Sequence, residues 1–412
     1  MAQAQRLEID SAPVRHEQAQ RWQVLLLLFG ITSVIESCSV SHVFAFLPLY
    51  LKLVGTPAAS IPRWTGFLLA CVFIFGLPLV PFWGAWADKY GRKPIIVRSA
   101  LVEAVVAILV AISQTRWELA GSLFVIGFQL GNTGVMLAAL RAAAPVKRVG
   151  LAIALFGCAS PLGMAIGPAG GGWLVDHTGL GLRGLFVLDS ALSLSSAALL
   201  TLCYRDTRPL HALSQSTAAI AKQSLLGIIR TPISLALFVT FSLVLLGRSI
   251  VQPYLPLFVE HLHPSQIGLT SAIGAVVGSA SLVGVLLSPL AGAVGDRIGY
   301  ARVLGVVTVI AAGCLVALPS MPSLATLALA IALFGGCLSA FIALVYALLA
   351  TLVPEDRRSA TLNLAFVPFY VGSILGPFLG AFVVGAGLRW VSYAGAGLVV
   401  LGLVMVRRLP RT

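Results

Sequence analysis

Gly84-Ala-Trp-Ala-Asp88-Lys89-Tyr-Gly91-Arg92-Lys93-Pro94 is a knot of charge and glycine set between two apolar runs, each long enough to cross a bilayer. A second copy, Gly292-Ala-Val-Gly-Asp296-Arg297-Ile-Gly299-Tyr-Ala-Arg302, lies between two more such runs, and Asp296 follows Asp88 by 208 residues, close to half of the 412-residue chain. The chain therefore reads as one unit written twice. A true duplication keeps its offset at every landmark, and this one does. Phe46-Leu-Pro48-Leu-Tyr50 matches Tyr254-Leu-Pro256-Leu-Phe258 at 208, and Pro145 and Arg148 match Pro354 and Arg357 at 209. Gly163-Met-Ala-Ile-Gly167-Pro168-Ala-Gly-Gly171 matches Gly372-Ser-Ile-Leu-Gly376-Pro377-Phe-Leu-Gly380, again at 209.

A chain that is 58% hydrophobic and 10% charged has more apolar surface than a water-soluble globule can hide, so the bilayer is its solvent. In lipid the backbone must satisfy its own polar groups, and the long, unalternating runs do so as helices. The net charge of +13 would suit nucleic acid if it were spread or clustered on one domain, but the cations sort by membrane side. Most of them fall in the tails, the central loop and the loops after even-numbered spans, while the opposite loops and the span ends beside them carry Lys52, Arg63, Arg116, Arg183 and Arg389. This positive-inside asymmetry puts both termini in the cytoplasm and excludes nucleic acid as a partner. Residues 1–21 are polar, and the run after them is too long for a signal peptide, so no cleavable leader is expected. Cys38, Cys71, Cys158, Cys203, Cys314 and Cys337 lie in or at the ends of spans without metal-ligand spacing and read as small packing residues.

Twelve spans are expected near 22–50, 64–87, 95–113, 118–142, 150–175, 183–203, 232–259, 267–294, 301–318, 323–353, 358–385 and 388–406. They divide the chain into a cytoplasmic tail (1–21), a six-helix bundle (22–203), a basic cytoplasmic linker (204–231), a second six-helix bundle (232–406) and a short cytoplasmic tail (407–412). An even number of spans per repeat makes the halves parallel, related by an axis along the membrane normal.

Twelve spans with G-x-x-x-D-[KR]-x-G-R-[KR] in the second loop and a weaker copy in the eighth resemble the major facilitator superfamily of secondary transporters, and the likeness covers essentially the whole chain. The resemblance implies an all-α integral membrane fold of two parallel-repeat bundles. It implies that Asp88 meets the N-terminus of span 11, where unpaired N–H groups favour an anion. Gly84 would allow a close helix approach, Gly91 the turn, and Lys89, Arg92, Lys93, Asp296 and Arg297 the charged latch on the cytoplasmic side. The stretch Gly163, Gly167, Pro168, Gly171 and Gly172 is similar to the motif of the family's drug and proton antiporters, which implies a contact between halves that biases an exporter. Its echo at Gly376 and Pro377 leaves generic helix packing open. The family's antiporters carry an arginine in the middle of span 4; here that stretch reads Phe124-Val-Ile-Gly127-Phe128-Gln129-Leu-Gly131-Asn132, with none.

Ionisable groups inside the membrane are costly and mark function. Glu36 and His42 fall in span 1, Glu103 in span 3, Asp189 in span 6 and Arg248 in span 7. In the family spans 1, 4, 7 and 10 line the central cavity, which implies that Glu36 and Arg248 face it, and Glu103 and Asp189 support it. At the repeat offset their mates are Val244 and Val40, so the charges are additions to the scaffold. Glu36 is the expected proton-coupling group, with Arg248 as its counter-charge and His42 as a further candidate; a static ion pair that sets helix register is the alternative. Phe44, Gln129, Asn132, Tyr254, Phe341, Tyr346, Asn363 and Tyr370 are candidate cavity residues, an apolar and aromatic set that suits an amphipathic molecule.

The expected function is alternating-access, proton-coupled efflux of small hydrophobic or amphipathic compounds, in a cell membrane, by a monomer without cofactor or metal. Import of a polar nutrient, or a non-transporting sensor on the same fold, stand as alternatives. No P-loop, zinc-ligand cluster or nucleophile motif is present, which argues against an enzyme or an ATP-driven pump.

Overall fold

The structure is a computed structural model describing residues 12–74, 76, 79, 83, 86–87, 90–206, 232–352 and 366–406. Eleven of its helices are long and apolar enough to cross a membrane. They are α1 (Ala12–Leu53, apolar from Trp22), α3 (Arg92–Ile112), α4 (Arg116–Ala143), α5 (Val149–His177), α6 (Gly181–Cys203), α7 (Pro232–Leu262), α8 (Leu269–Ile298), α9 (Tyr300–Ala317), α10 (Leu324–Leu352), α11 (Phe366–Val383) and α12 (Leu388–Val406). The twelfth, α2 (Ile61–Ile74), is an apolar helix of 14 residues, and the described residues among 75–90 are helical too. The main departure from the expected spans is at the start, where α1 extends back through the polar tail to Ala12.

Three spans are broken, two of them where proline or glycine chemistry interrupts the helix. In α7 a 3-10 turn at Gln252–Tyr254 coincides with Pro253, and Pro256 opens the next segment; neither proline can donate an N–H. In α4 a turn at Ile126–Gln129 leads into Gly131 at φ 96°, a left-handed conformation that glycine adopts without penalty, and the helix restarts at Asn132. In α5 the break is at Cys158, between segments ending at Gly157 and starting at Ala159. The two loop motifs share one backbone device: Gly91 and Gly299, related by the repeat offset, take φ 99° and 95°.

Helices of alternating direction put the turns around residues 54–57, 178–180, 263–268 and 385–387 at one end of the bundle, the far end. The junctions at Gly91, Pro145 and Gly299 lie at the end that carries the termini. Within the first six helices α1 packs on α5 and α3 on α6; within the last six, α7 packs on α11 and α9 on α12, the same pairings displaced by six. Between the two sets α5 packs on α8 and α2 on α11. Since lipid offers no hydrophobic drive for helix association, close approach depends on small residues. Gly163, Gly167 and Gly171 of α5 face α1, where an added Cβ would strike Val34, Ser37, Cys38, Ser41 and His42. Gly376 and Gly380 of α11 face Ser249, Ile250 and Tyr254 of α7 in the same way. The cross-contacts repeat as well: Gly274 of α8 abuts the Pro168 carbonyl, and Gly66 of α2 abuts the Pro377 carbonyl. Outward, a coat of exposed apolar side chains such as Leu202, Leu286, Leu329 and Phe382 meets the hydrocarbon.

The halves are joined at the far end. Lys52 of α1 pairs with Glu260 of α7, its own repeat mate, so this ion pair crosses the pseudo-twofold axis. Asp176 of α5 accepts from the hydroxyl of Thr270 and, at 2.7 Å, from the backbone N–H of Ser271 in α8; the Ser271 hydroxyl donates to the Gly172 carbonyl at 3.3 Å.

Candidate functional site

A cavity of about 420 Å³ lies between the halves at mid-depth. Alpha1 contributes Glu36, Ser37, Val40 and Phe44; α4 contributes Gln129, Asn132 and Thr133; α7 contributes Arg248, Ser249 and Gln252. The breaks in α4 and α7 serve this cavity, because Asn132 is the first residue of the restarted α4 and Gln252 opens the turn of α7. Ser160, Ser281, Ser339 and Ser373, from α5, α8, α10 and α11, complete a ring of hydroxyls among Phe73, Met164, Phe369 and Tyr370.

Glu36 sits near the middle of its span and is 8% exposed. Asn132 Nδ2 donates to both of its carboxylate oxygens at 2.7 Å, and Ser99 Oγ lies 3.0 Å from Oε1. Arg98, on α3, is nearby but is held elsewhere: its guanidinium stacks 3.5 Å over the Trp83 ring and donates to the Leu130 carbonyl at 3.2 Å. The expected Glu36–Arg248 pair is not formed. Both residues line the cavity, but no ion pair or hydrogen bond joins them, because the carboxylate is turned toward α3 and α4.

His42 is placed behind the cavity wall, not in it. Its Nδ1 is 2.9 and 3.0 Å from the carboxylate oxygens of Asp189 on α6, and its Nε2 is 2.8 Å from the Gly167 carbonyl on α5. The imidazole thus bridges α1 to both α6 and α5. Glu103, 2% exposed, lies beside Ser39 and Ser193, yet neither carboxylate oxygen makes a hydrogen bond of good geometry. These groups form a buried titratable cluster inside the first six helices.

Phe44, Gln129, Asn132 and Tyr370 line the cavity. Tyr254 and Phe341 do not: both are buried in the core of the last six helices, Tyr254 against the α2–α11 contact and Phe341 against Phe241. Tyr346 packs against the same Phe241 ring. Asn363 lies outside the described residues, as do Gly84, Asp88 and Lys89 of the loop motif. The cavity serines on α5, α8, α10 and α11 were not singled out from the sequence; isolated serines in apolar runs were the available signal.

The described part of the loop motif has an unexpected anchor. The backbone N–H groups of Arg92 and Lys93, at the start of α3, donate to one oxygen of Asp206 at 2.5 and 3.2 Å, an anion on a helix N-terminus. Lys93 Nζ donates to the Thr201 carbonyl at 2.6 Å. The Tyr204 hydroxyl donates to the other Asp206 oxygen, and burial, with that carboxylate beside it, pushes the Tyr204 phenol above its ordinary range. In the second copy Asp296 and Arg297 are exposed, and Asp296 accepts from the Tyr300 hydroxyl. The antiporter-type glycines divide their work: Gly163, Gly167 and Gly171 join α5 to α1, whereas Gly172 and the Pro168 carbonyl reach α8 in the other half.

A helical bundle coated in apolar side chains, with a mostly apolar cavity studded with hydroxyls and one carboxylate at mid-depth between two repeats, defines a multi-pass membrane carrier. The chain belongs to the Major Facilitator Superfamily, whose profile matches residues 29–280 and 237–412. It is similar to the multidrug resistance protein MdtG of Klebsiella pneumoniae (strain 342), 27% identical over 397 residues that make up 93% of this chain and 92% of the relative. Among solved structures it is similar to a bacterial homologue of the human lysosomal transporter Spinster in an inward-facing, occupied conformation (TM-score 0.77, 15% identity, 94% and 96% of the two chains). It is also similar to the nucleoside transporter NupG (TM-score 0.76, 16% identity, 93% and 98%). Members of this family are carriers that bind small molecules within a membrane, and this chain is one of them.

Proposed function

We propose that this protein is a proton-coupled exporter of small amphipathic compounds, working as a monomer in a bacterial inner membrane with both termini cytoplasmic. The observation that carries the reading is Glu36: a carboxylate at mid-membrane, on a substrate-sized cavity, held by two neutral donors and, among the described residues, by no paired cation. Such a group can gain or lose a proton as the cavity changes access, without first breaking an ion pair. The multidrug name of the MdtG relative and the antiporter-type glycines support export. The segments 22–203 and 232–406 are the two bundles that rock against each other. With the termini inside, the far-end contacts lie on the outer side of the membrane, where the proposed cycle closes and opens the cavity.

A second reading, uptake or exchange of a polar metabolite, is favoured by the hydroxyl ring of Ser37, Thr133, Ser160, Ser249, Ser281 and Ser339. Inverted membrane vesicles separate the two. Under an imposed pH gradient, lipophilic dyes of both charges are offered, and the exporter moves at least one of them, with the gradient dependence lost in Glu36→Gln. Undiminished gradient dependence in Glu36→Gln removes the carboxylate from the mechanism. No gradient-driven movement of any dye favours the polar-metabolite reading.

A further inference from the structure

Arg248 lies near the centre of its span, yet among the described residues it has neither an ion pair nor a hydrogen bond. Its neighbours fix its direction. Gly247 is pressed against Gly395 and Val399 of α12, and Ser249 against Gly376 of α11, so α7 is clamped on either side of residue 248, which is left facing the cavity. The side chain lines both the main cavity and a smaller one of about 110 Å³ that runs between α8 and α10. Its repeat mate, Val40, lines the main cavity too, so the positive charge is confined to one wall.

A guanidinium remains protonated in proteins, and at this depth it needs either water or an anion. The one carboxylate on the described cavity wall is Glu36, and its oxygens are already taken by Asn132 and Ser99. We propose that Arg248 is the substrate's anion anchor: transported compounds carry a carboxylate, phosphate or sulfonate that docks on its planar fork, with their apolar body in the side cavity among Phe44, Met164, Phe334 and Leu338. Gln252, one turn along α7, and Ser281 border the same space and supply neutral hydrogen bonds to the headgroup. Cations find no equally unpartnered charge, because the opposing carboxylate already accepts from Asn132 and Ser99. This assignment deepens the exporter reading and rests on it.

The test uses the full-length protein in lipid nanodiscs and three probes of one shape: 1-naphthylacetate, the neutral 1-naphthylacetamide and the cationic 1-naphthylmethylamine. Binding is measured by titration calorimetry and by thermal shift. The acetate should bind tighter than the amide by about tenfold or more, since hydrogen bonds to charged groups exceed neutral ones by that order. Arg248→Gln should erase the difference by weakening the acetate more than the amide, and Arg248→Lys should keep part of it. The ranking of acetate over amide needs no variant, so it decides even if a substituted protein fails to fold. Equal binding of acetate and amide, preference for the amine, binding of none of the three, or an acetate preference that survives Arg248→Gln overturns the assignment. Equal gradient-driven movement of a cationic dye by wild type and Arg248→Gln would sink the anion anchor and leave the exporter standing. A wild type that moves no dye of either charge strikes the exporter reading itself.

Discussion

Asp189 and His42 show how one pair of residues can hold three helices, since the imidazole joins α1 to α6 through its carboxylate and to α5 through the Gly167 carbonyl. Both side chains are buried, so removing one leaves the other with an uncompensated charge or donor. His42→Ala or Asp189→Ala is expected to cost about 3–5 kcal/mol in reversible unfolding from mixed micelles, and the double variant His42→Phe with Asp189→Leu distinctly less than the sum. Additive losses would show that the two residues act separately. Glu103 behaves oppositely. With no hydrogen bond of good geometry to lose, Glu103→Gln should leave the unfolding free energy within about 1 kcal/mol of wild type. A larger drop would mean that its carboxyl has a structural partner. The sequence disclosed all of these residues, because ionisable groups are rare in an apolar run, but it did not disclose their partners. Glu36 turns to Asn132, which is positioned by the glycine break in α4, and no periodicity announces that break.

At the level of the helix, glycine decides which surfaces can meet. Gly172 of α5 lies against the backbone carbonyl of Thr270 in α8, at a point where neither helix can yield by rotating a side chain. Gly172→Val is therefore expected to prop the far end open. In a cysteine-free background with Ser281→Cys as reporter, labelling of whole cells by a membrane-impermeant maleimide should rise several-fold in Gly172→Val; unchanged labelling would mean that this contact does not seal the cavity. The start of α3 offers a second case. Asp206 accepts from two N–H groups that the helix leaves without partners, so Asp206→Ala should cost about 0.5–2 kcal/mol, while Asp206→Asn keeps part of the cap. Equal losses in both would indicate packing, not capping. This anchor was hidden from sequence reading because Asp206 is more than a hundred residues from Arg92, and capping partners are recognisable only when they are neighbours in the chain.

For the whole molecule the duplication is the governing fact, and it was legible at every scale from the repeat offset alone. The offset that aligned the two loop motifs also relates the Gly66–Pro377 contact to the Gly274–Pro168 contact, and it pairs Lys52 with Glu260 across the axis. Helical class followed from apolar run lengths, while a central cavity was what the resemblance to the family implied. The aromatic candidates fared less well, since Tyr254 and Phe341 fill the core as bulky membrane side chains usually do, while small serines from four helices line the hollow. A serine in an apolar run carries no mark of which way it faces. Among the described residues the two repeats touch at the far end through small residues, the Lys52–Glu260 ion pair and the hydrogen bonds of Asp176, and the proposed cycle requires them to part there.

The most direct check of that motion is a reversible tether. Lys52→Cys and Glu260→Cys, joined across the far end by a reductively cleavable bis-maleimide in a cysteine-free protein, should halt gradient-driven dye movement in vesicles, and cleavage of the tether should restore it. Transport that continues at the untethered rate with the bridge intact would contradict a carrier whose halves must separate at that end to release their cargo.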